Sequence, residues 1–382
     1  MPRILCVFPN DSLLSYYEKG EIKNRYFNPK NWFDEVHVIS LFDDDIDEEK
    51  VKILGGTAVF KIHKVGKVNL SNYKAFEDKI RILIQEIKPS AIRSYNPLVQ
   101  GWLATKIGKK LKIPVIVSLH TNYDQQRNLA RIEGRYLQYL KLKFTSKKLE
   151  SFVLKNADVV ICAYEFIVPY AKKMGAGNIH VIYNRVDLEQ FSPQCKKELN
   201  FEKPTIISVG RLIKQKNHRY LIKAIKNLDV NLLIIGDGPN YGMLTELVES
   251  LGISDRVHII KRVQHDKLGG YYTSCDIYAQ PMEFLGGITI PTLEAMASGL
   301  PVIMSKREGH YSEVIDDAVV FVENNAEGFQ NAIDKVLSSK QFKEDLKKKS
   351  LEIVKKLSGD VMEERELQIY KKFSELSNRD IK

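Results

Sequence analysis

A chain of 382 residues, 44% hydrophobic and 28% charged, has the composition of a soluble globular protein and is too long for one ordinary core, so two domains are expected. A formal charge of +10 and a pI near 9.1 leave three partner classes open: nucleic acid, an anionic membrane surface, or an anionic small substrate. The basic residues are spread without a nucleic-acid module, no run approaches the roughly 20 apolar residues of a membrane span, and Cys6, Cys162, Cys195 and Cys275 lack paired spacing, which sets aside nucleic acid, a spanning helix, a zinc site and a disulfide framework and favours a reducing, cytoplasmic setting.

The chain opens on Pro2–Pro9, whose apolar core is too short for a signal peptide and is read as a first strand, Ile4–Phe8. Apolar runs at Val36–Leu41, Ala58–Ile62, Ala91–Ser94, Val115–Leu119, Val159–Ala163 and His180–Tyr183 predict further strands, with helix-length segments such as Tyr73–Ile87 and Leu98–Leu111 between them. Arg127–Asn156 reads as one long basic helical stretch. The rhythm breaks over Val186–Pro204, and an interdomain linker is placed at 191–204, between a domain at 1–190 and a domain at 205–358. Beyond it, strands are predicted at Thr205–Val209, Asn231–Ile235, Val257–Ile260, Ile277–Gln280 and Pro301–Met304. Helices are predicted at His218–Asn227, Tyr241–Leu251, Asp266–Ser274 and Pro291–Ser298. Two short elements, a lysine-rich region at Lys340–Lys356 and a last helix near Gly359–Ser377 complete the chain. This is the βαβ rhythm of two consecutive Rossmann-like α/β domains with a cleft between them, where ligands sit outside the C-terminal strand ends.

The loops after those strands hold the candidate sites. The run Gly286-Gly287-Ile288-Thr289 enters a helix carrying Glu294, and Gly299 ends it; unpaired amides and the helix dipole make such an entry an anion site. Gly210-Arg211-Leu212-Ile213-Lys214-Gln215-Lys216 puts an arginine fork and a lysine either at the cleft edge or on a solvated loop. Gly236-Asp237-Gly238-Pro239 reads as a turn in which Asp237 caps the next helix, and it is also compatible with close approach of a ligand. His120 ends a strand, facing the cleft or serving structure alone. Glu283 projects into the cleft or lies on the surface, and Asn184-Arg185-Val186-Asp187 makes a hinge turn with local backbone bonds. Asp43-Asp44-Asp45 suggests a metal cluster but continues into acidic sequence, which favours a solvated loop. The stretch 127–156 carries Arg127, Arg131, Arg135, Lys141, Lys143, Lys147 and Lys148 among Leu129, Tyr136, Leu137, Tyr139, Leu140, Leu142 and Phe144, and is either a surface for anionic lipid or an ordinary charged helix.

Taken together, Gly210-Arg211-Leu212…Lys216, Gly236-Asp237-Gly238-Pro239 and Leu293-Glu294-Ala295-Met296-Ala297-Ser298-Gly299-Leu300-Pro301-Val302 resemble the retaining GT-B glycosyltransferases of the "glycosyltransferase group 1" family. Ser118-Leu119-His120 and Tyr183-Asn184-Arg185-Val186-Asp187 are similar to that family's first-domain motifs, and the closing helix resembles one that crosses back to the first domain, adding 359–382 to it. The resemblance implies that Arg211 and Lys216 hold the donor diphosphate together with the amides of Gly287, Ile288 and Thr289. It further implies that Glu294 binds the ribose, that Val263 lies by the base, and that His120 contacts the transferred sugar. It implies no cofactor and no metal, because fixed cations and a helix N-terminus can take the developing phosphate charge.

Two departures from the family pattern stand out. The family's first Glu, eight positions before Glu294, is Gly286 here, and Glu283 is expected to reach the donor sugar instead. Pro9-Asn10-Asp11-Ser12-Leu13-Leu14 also lacks the family's glycine pair, so no acceptor residue is assigned. The reading implied is a UDP- or GDP-sugar-dependent, metal-independent transferase acting on a glycan or lipid-linked acceptor; it is expected in the cytoplasm, with the positive charge and the basic stretch leaving open a peripheral place at the inner face of the membrane. A non-catalytic nucleotide-sugar-binding protein, an epimerase and a phosphorylase are the alternatives.

Overall fold

The computed structural model describes residues 2–20, 22–42, 46–283, 288–306 and 313–379. Asp43-Asp44-Asp45, Gly286 and Gly287 lie outside the described residues. The chain divides into two compact units, 1–183 with 362–382, and 184–361.

The first unit is built on seven parallel strands: β1 (Ile4–Phe8), β2 (Glu35–Ser40), β3 (Val59–Lys64), β4 (Ala91–Ser94), β5 (Val115–Leu119), β6 (Val159–Cys162) and β7 (Ile179–Val181). They lie in the order β3-β2-β1-β4-β5-β6-β7. Strands β1, β4, β5 and β6 are buried along their whole length, as expected of a parallel sheet covered on both faces. Ser12, in the loop after β1, starts a helix the sequence reading missed, Leu13–Lys19, by accepting from the Ser15 amide at 3.0 Å. The last helix, Gly359–Arg379, belongs to this unit from residue 362 onward. Arg93 of β4, buried, pairs with Glu366 and donates to the Tyr370 hydroxyl at 2.9 Å and to Ser118 Oγ at 3.0 Å.

The stretch expected as one long helix, Arg127–Asn156, is broken. Helix Tyr123–Ile132 ends at Gly134, which has φ of 69°, and helix Tyr136–Thr145 passes through a π turn at Ser146–Glu150 into helix Ser151–Asn156. A buried carboxylate explains the π turn. Glu150 accepts from Arg127 Nη1 at 2.9 Å, from Thr145 Oγ1 at 2.9 Å and from the Tyr170 hydroxyl at 2.6 Å, so the backbone there serves this network rather than a regular helix.

The second unit carries six parallel strands: β8 (Thr205–Val209), β9 (Asn231–Ile235), β10 (Val257–Ile260), β11 (Ile277–Gln280), β12 (Val302–Ser305) and β13 (Val319–Val322). Their order is β10-β9-β8-β11-β12-β13. In both sheets the order reverses beside the first strand, between β1 and β4 and between β8 and β11, and this switch point is where a doubly wound sheet opens a crevice at its C-terminal edge. Ile206, Leu232, Ile234, Ile277 and Ile303 line the core beneath helices His218–Ala224 and Ala326–Ser338. Lys340–Lys356 is a single helix whose Leu346, Ile353 and Val354 are buried.

Residues 191–204 are packed onto this unit. Phe191 is buried against the Tyr272 and His265 rings, and a β-carbon at Gly269 would lie 2.5 Å from the Gln190 carbonyl. Burying one phenylalanine contributes about 1.5–3 kcal/mol, enough to hold such a segment down. In the turn at Asn184–Asp187 it is Asp187 that makes local bonds: its Oδ1 accepts from the Glu189 and Gln190 amides at 2.9 and 3.1 Å.

Candidate functional site

The loops that leave β8 and β11 flank the switch point of the second sheet. The β8 loop is fixed by three backbone bonds. Gly210 N–H donates to the Ile235 carbonyl at 3.0 Å, Leu212 N–H to the Asp237 carbonyl at 2.9 Å, and Asn240 N–H to the Leu212 carbonyl at 3.0 Å. Leu212 is fully buried as an anchor, which leaves Arg211 exposed beside it.

These bonds also correct the reading of Gly236-Asp237-Gly238-Pro239. Asp237 does not cap the following helix. Its Oδ1 accepts from the Gly238 amide at 2.8 Å, and helix Tyr241–Ser250 starts at Asn240 without a side-chain cap. Nor does a ligand explain the glycines. A β-carbon at Gly236 would lie 2.0 Å from the Gly210 carbonyl oxygen, and one at Gly238 would lie 2.6 Å from that of Leu212. The turn is a buttress that lets two backbones touch, and it thereby sets the position of Arg211.

Past Arg211 the chain makes a 3-10 turn, Lys214–Lys216, and enters helix His218–Ala224 through Asn217, which has φ of 43°. The Lys216 side chain folds back over Gly210 and is half-buried; its Nζ lies 3.7 Å from Met282 Sδ, and among the described residues no carboxylate faces it. Burial without an anion pulls the amine down to about 8. Burial, and then the Lys216 charge, push His218 down to about 4, so that ring is neutral at pH 7.

Met282 belongs to the β11 loop, and the two loops are tied together by the Glu283 amide, which donates to the Gln215 carbonyl at 2.9 Å. The Glu283 side chain is exposed. Further along, Thr289 is the N-cap of helix Ile290–Ala297, with its hydroxyl accepting from the Thr292 amide. Gln280 Oε1, at the end of β11, accepts from the hydroxyls of Thr289, Thr292 and Tyr278, which fixes the helix entry to the strand end. Ile288 is buried, and among the described residues no acceptor faces the amides of Ile288 and Thr289. Gly299, with φ of 78°, closes the helix, and Leu300 N–H returns to the Ala295 carbonyl at 3.0 Å.

Glu294 is buried on that helix. Its Oε1 lies 3.0 Å from His265 Nε2, and its Oε2 accepts from the Tyr272 hydroxyl at 3.1 Å. His265 is itself held by Gln190, whose amide nitrogen sits 3.0 Å from Nδ1 and donates to the His265 carbonyl at 2.6 Å. With Gln190 donating to Nδ1, the His265 proton sits on Nε2 and points at Glu294. Sequence reasoning missed Gln190, His265 and Tyr272. His265 stands two residues after Val263 and could have been found only as a polar residue on the same loop. Val263 is half-buried on that loop, after the edge strand β10.

Structure thus brings Arg211, Lys216 and the Glu283 backbone together through the paired loops of one unit, with Ile288, Thr289 and Glu294 on the loop and helix that follow β11. His120 lies in the other unit, exposed at the end of β5 and stacked on Tyr95 at 6.1 Å. Arg127 is not a surface cation: it is buried between Asp124 and Glu150.

Residues 33–190 match the model for glycosyltransferase family 4, and residues 192–352 match the model for glycosyl transferases group 1. An uncharacterized glycosyltransferase of Methanocaldococcus jannaschii is 27% identical, over 70% of this chain and 71% of its own length. Alpha-monoglucosyldiacylglycerol synthase of Acholeplasma laidlawii is 24% identical over 64% of each chain. Among solved structures, sucrose-phosphate synthase from Thermosynechococcus elongatus superposes with a TM-score of 0.72 at 17% identity, covering 98% of this chain and 100% of that one. Anabaena HepE in complex with UDP-glucose gives 0.69 at 15% identity, covering 96% and 99%. The fold is GT-B, and its two sheets are those the sequence rhythm predicted. Between them the two family models match most of the chain, which therefore belongs to the group 1 glycosyltransferases, with a first domain of the family 4 type.

Proposed function

We propose that this glycosyltransferase takes its sugar from a nucleoside diphosphate sugar, holds the diphosphate on Arg211, Lys216 and the amides of Gly287, Ile288 and Thr289, and transfers with retention. The observation that carries the reading is Lys216, an ammonium held in a half-buried position beside the Met282 thioether, with no counter-ion among the described residues. A diphosphate supplies that missing charge. As the bond from the anomeric carbon to the diphosphate oxygen breaks, negative charge grows on the leaving oxygen. In this scheme Arg211 and Lys216 take that charge, as fixed cations that need no solvent reorganisation. Among the described residues each Glu294 oxygen has one donor, and a carboxylate oxygen has a further lone pair, so the proposal has it accept from ribose hydroxyls while His265 and Tyr272 keep it oriented. Val263 by the base, His120 at the transferred sugar and Glu283 in place of the family's first Glu complete the proposal.

No metal is part of this scheme, since the two cations and the helix entry take the phosphate charge. The name of the HepE complex, with UDP-glucose, supports UDP among the donor bases to test first. That of the Acholeplasma relative supports a lipid-linked or lipid acceptor. The membership of the chain favours transfer over the epimerase, phosphorylase and non-catalytic alternatives.

The test is direct. UDP- and GDP-sugars are titrated against the full-length protein by calorimetry. Nucleoside diphosphate release is then followed with candidate acceptors, the anomeric configuration of the product is read by NMR, and the assay is repeated with a chelator. Binding, turnover, retention and indifference to chelation are expected. Failure to bind any nucleoside diphosphate would sink the proposal, and inversion at the anomeric carbon would remove its mechanism.

A further inference from the structure

Helix Tyr136–Thr145 presents an apolar face to solvent. Leu137 is 87% exposed, Tyr136 66%, Leu140 58% and Phe144 50%, and Ile132 on the preceding helix is 66% exposed. At about 100° per residue, Tyr136, Leu140, Phe144 and Leu137 fall on one stripe, with Lys141 on one flank and Lys143 on the other. The opposite side is the packed one, where Tyr139 and Leu142 are half-buried and Thr145 is buried. That side is fixed firmly: Arg127 Nη1 donates to the Leu142 carbonyl at 3.0 Å, and Thr145 Oγ1 bonds to Glu150. The exposed stripe is therefore a presented surface, since the anchored face leaves the helix no second way to pack. Single exposed apolar residues need no explanation, but a contiguous group of this size on a charged rim marks an interaction site.

We infer that this helix is a docking surface for an anionic lipid bilayer, lying in the interface plane with its apolar stripe among the acyl chains. Charge complementarity selects the occupant. Arg131, Lys141, Lys147 and Lys148 are exposed around the stripe, and none of them pairs with a carboxylate among the described residues. The acidic groups close by are already engaged: Glu133 by Arg135, and Asp124 and Glu150 by Arg127. A second copy docked on the same face would set these lysines against their own image, which disfavours self-association. Among the described residues no helix is long and apolar enough to cross a membrane, so the arm lies on the bilayer. This surface is independent of the proposed donor site, which lies in the other unit.

Co-sedimentation of the full-length protein with phosphatidylglycerol–phosphatidylcholine vesicles, and with pure phosphatidylcholine vesicles, tests it. Binding to the anionic vesicles that weakens with salt is expected. Lys141→Gln, Lys147→Gln and Lys148→Gln should together lower the partition coefficient about a hundredfold, roughly fivefold per lysine. Leu137→Ser, Leu140→Ser and Phe144→Ser together should lower it at least tenfold. UDP affinity and melting temperature should stay unchanged in both variants, because the packed face and the donor loops are untouched. Should the apolar triple variant misfold, Leu137→Ser alone, at the most exposed position, is expected to weaken binding severalfold. Absence of wild-type binding, equal binding by the variants, or a dimer in light scattering that the apolar variant dissociates would each overturn the inference.

Discussion

Each unit of this chain holds a cation near the C-terminal end of a switch-point strand, and the two are treated in opposite ways. In the first unit Arg93 is enclosed by Glu366, Tyr370 and Ser118, and Tyr95 stacks on the guanidinium at 4.9 Å. Burial alone would lower its pKa, but the Glu366 charge and the Tyr370 hydroxyl overcome this and hold it well above the usual range. In the second unit Lys216 has Met282 Sδ and no anion among the described residues, and burial pulls it down to about 8. A buried cation with its partners in place belongs to the architecture. One left without a counter-ion carries a standing cost that only a ligand relieves.

The largest effect should come from breaking the architectural cation. Arg93→Met leaves Glu366 buried without its partner and should destabilise the first unit by about 3–5 kcal/mol, read as a lower unfolding midpoint. A change below about 1 kcal/mol would mean that the pair is not what ties the last helix down. Lys216→Met should act with the opposite sign on stability. Removing a charge that burial penalises should raise the unfolding free energy by on the order of 1–3 kcal/mol, read as a higher midpoint, while transfer falls roughly 10²–10³-fold. A variant that loses stability along with activity would contradict the comparison.

The pH dependence follows from the same shift. Below pH 8 Lys216 is charged in both folded and unfolded chains, and its penalty is felt in full. Between about 8 and the ordinary lysine value, 10.5, the folded form releases its proton first, so stability contributed by this group rises with pH. Donor binding needs the ammonium, so UDP affinity should fall as pH climbs through about 8, with proton uptake on binding that calorimetry in buffers of different ionisation enthalpy detects. No proton uptake would place the diphosphate elsewhere. The smallest effect expected is at the missed residues: His265→Ala frees one Glu294 oxygen and should weaken nucleotide binding about tenfold, and Gln190→Ala only a few-fold. Unchanged affinity in His265→Ala would remove Glu294 orientation from the scheme.

Much of the fold was readable because parallel strands bury both faces. Runs such as Leu232-Leu233-Ile234-Ile235 announce themselves, and alternation with helix-length segments predicts two doubly wound sheets. The candidate phosphate residues were readable too, since glycine, arginine and lysine after a strand carry their chemistry in their types. Contacts between distant positions were not. Nothing local in Gly236-Asp237-Gly238-Pro239 says that it touches Gly210 and Leu212, so the same residues read equally well as a helix cap.

The sequence by itself therefore determined the βαβ rhythm, the family, and which residue types stand at the strand ends, because these depend on periodicity and neighbouring residues. Tertiary structure alone decided the environment of each group. It sank Arg127 between two carboxylates, left Lys216 without one among the described residues, placed His265 on Glu294, and broke a long basic stretch so that the apolar stripe of one of its helices faces outward. A charge has the same type wherever it sits, but its free energy is set by burial and by partners that arrive from elsewhere in the chain.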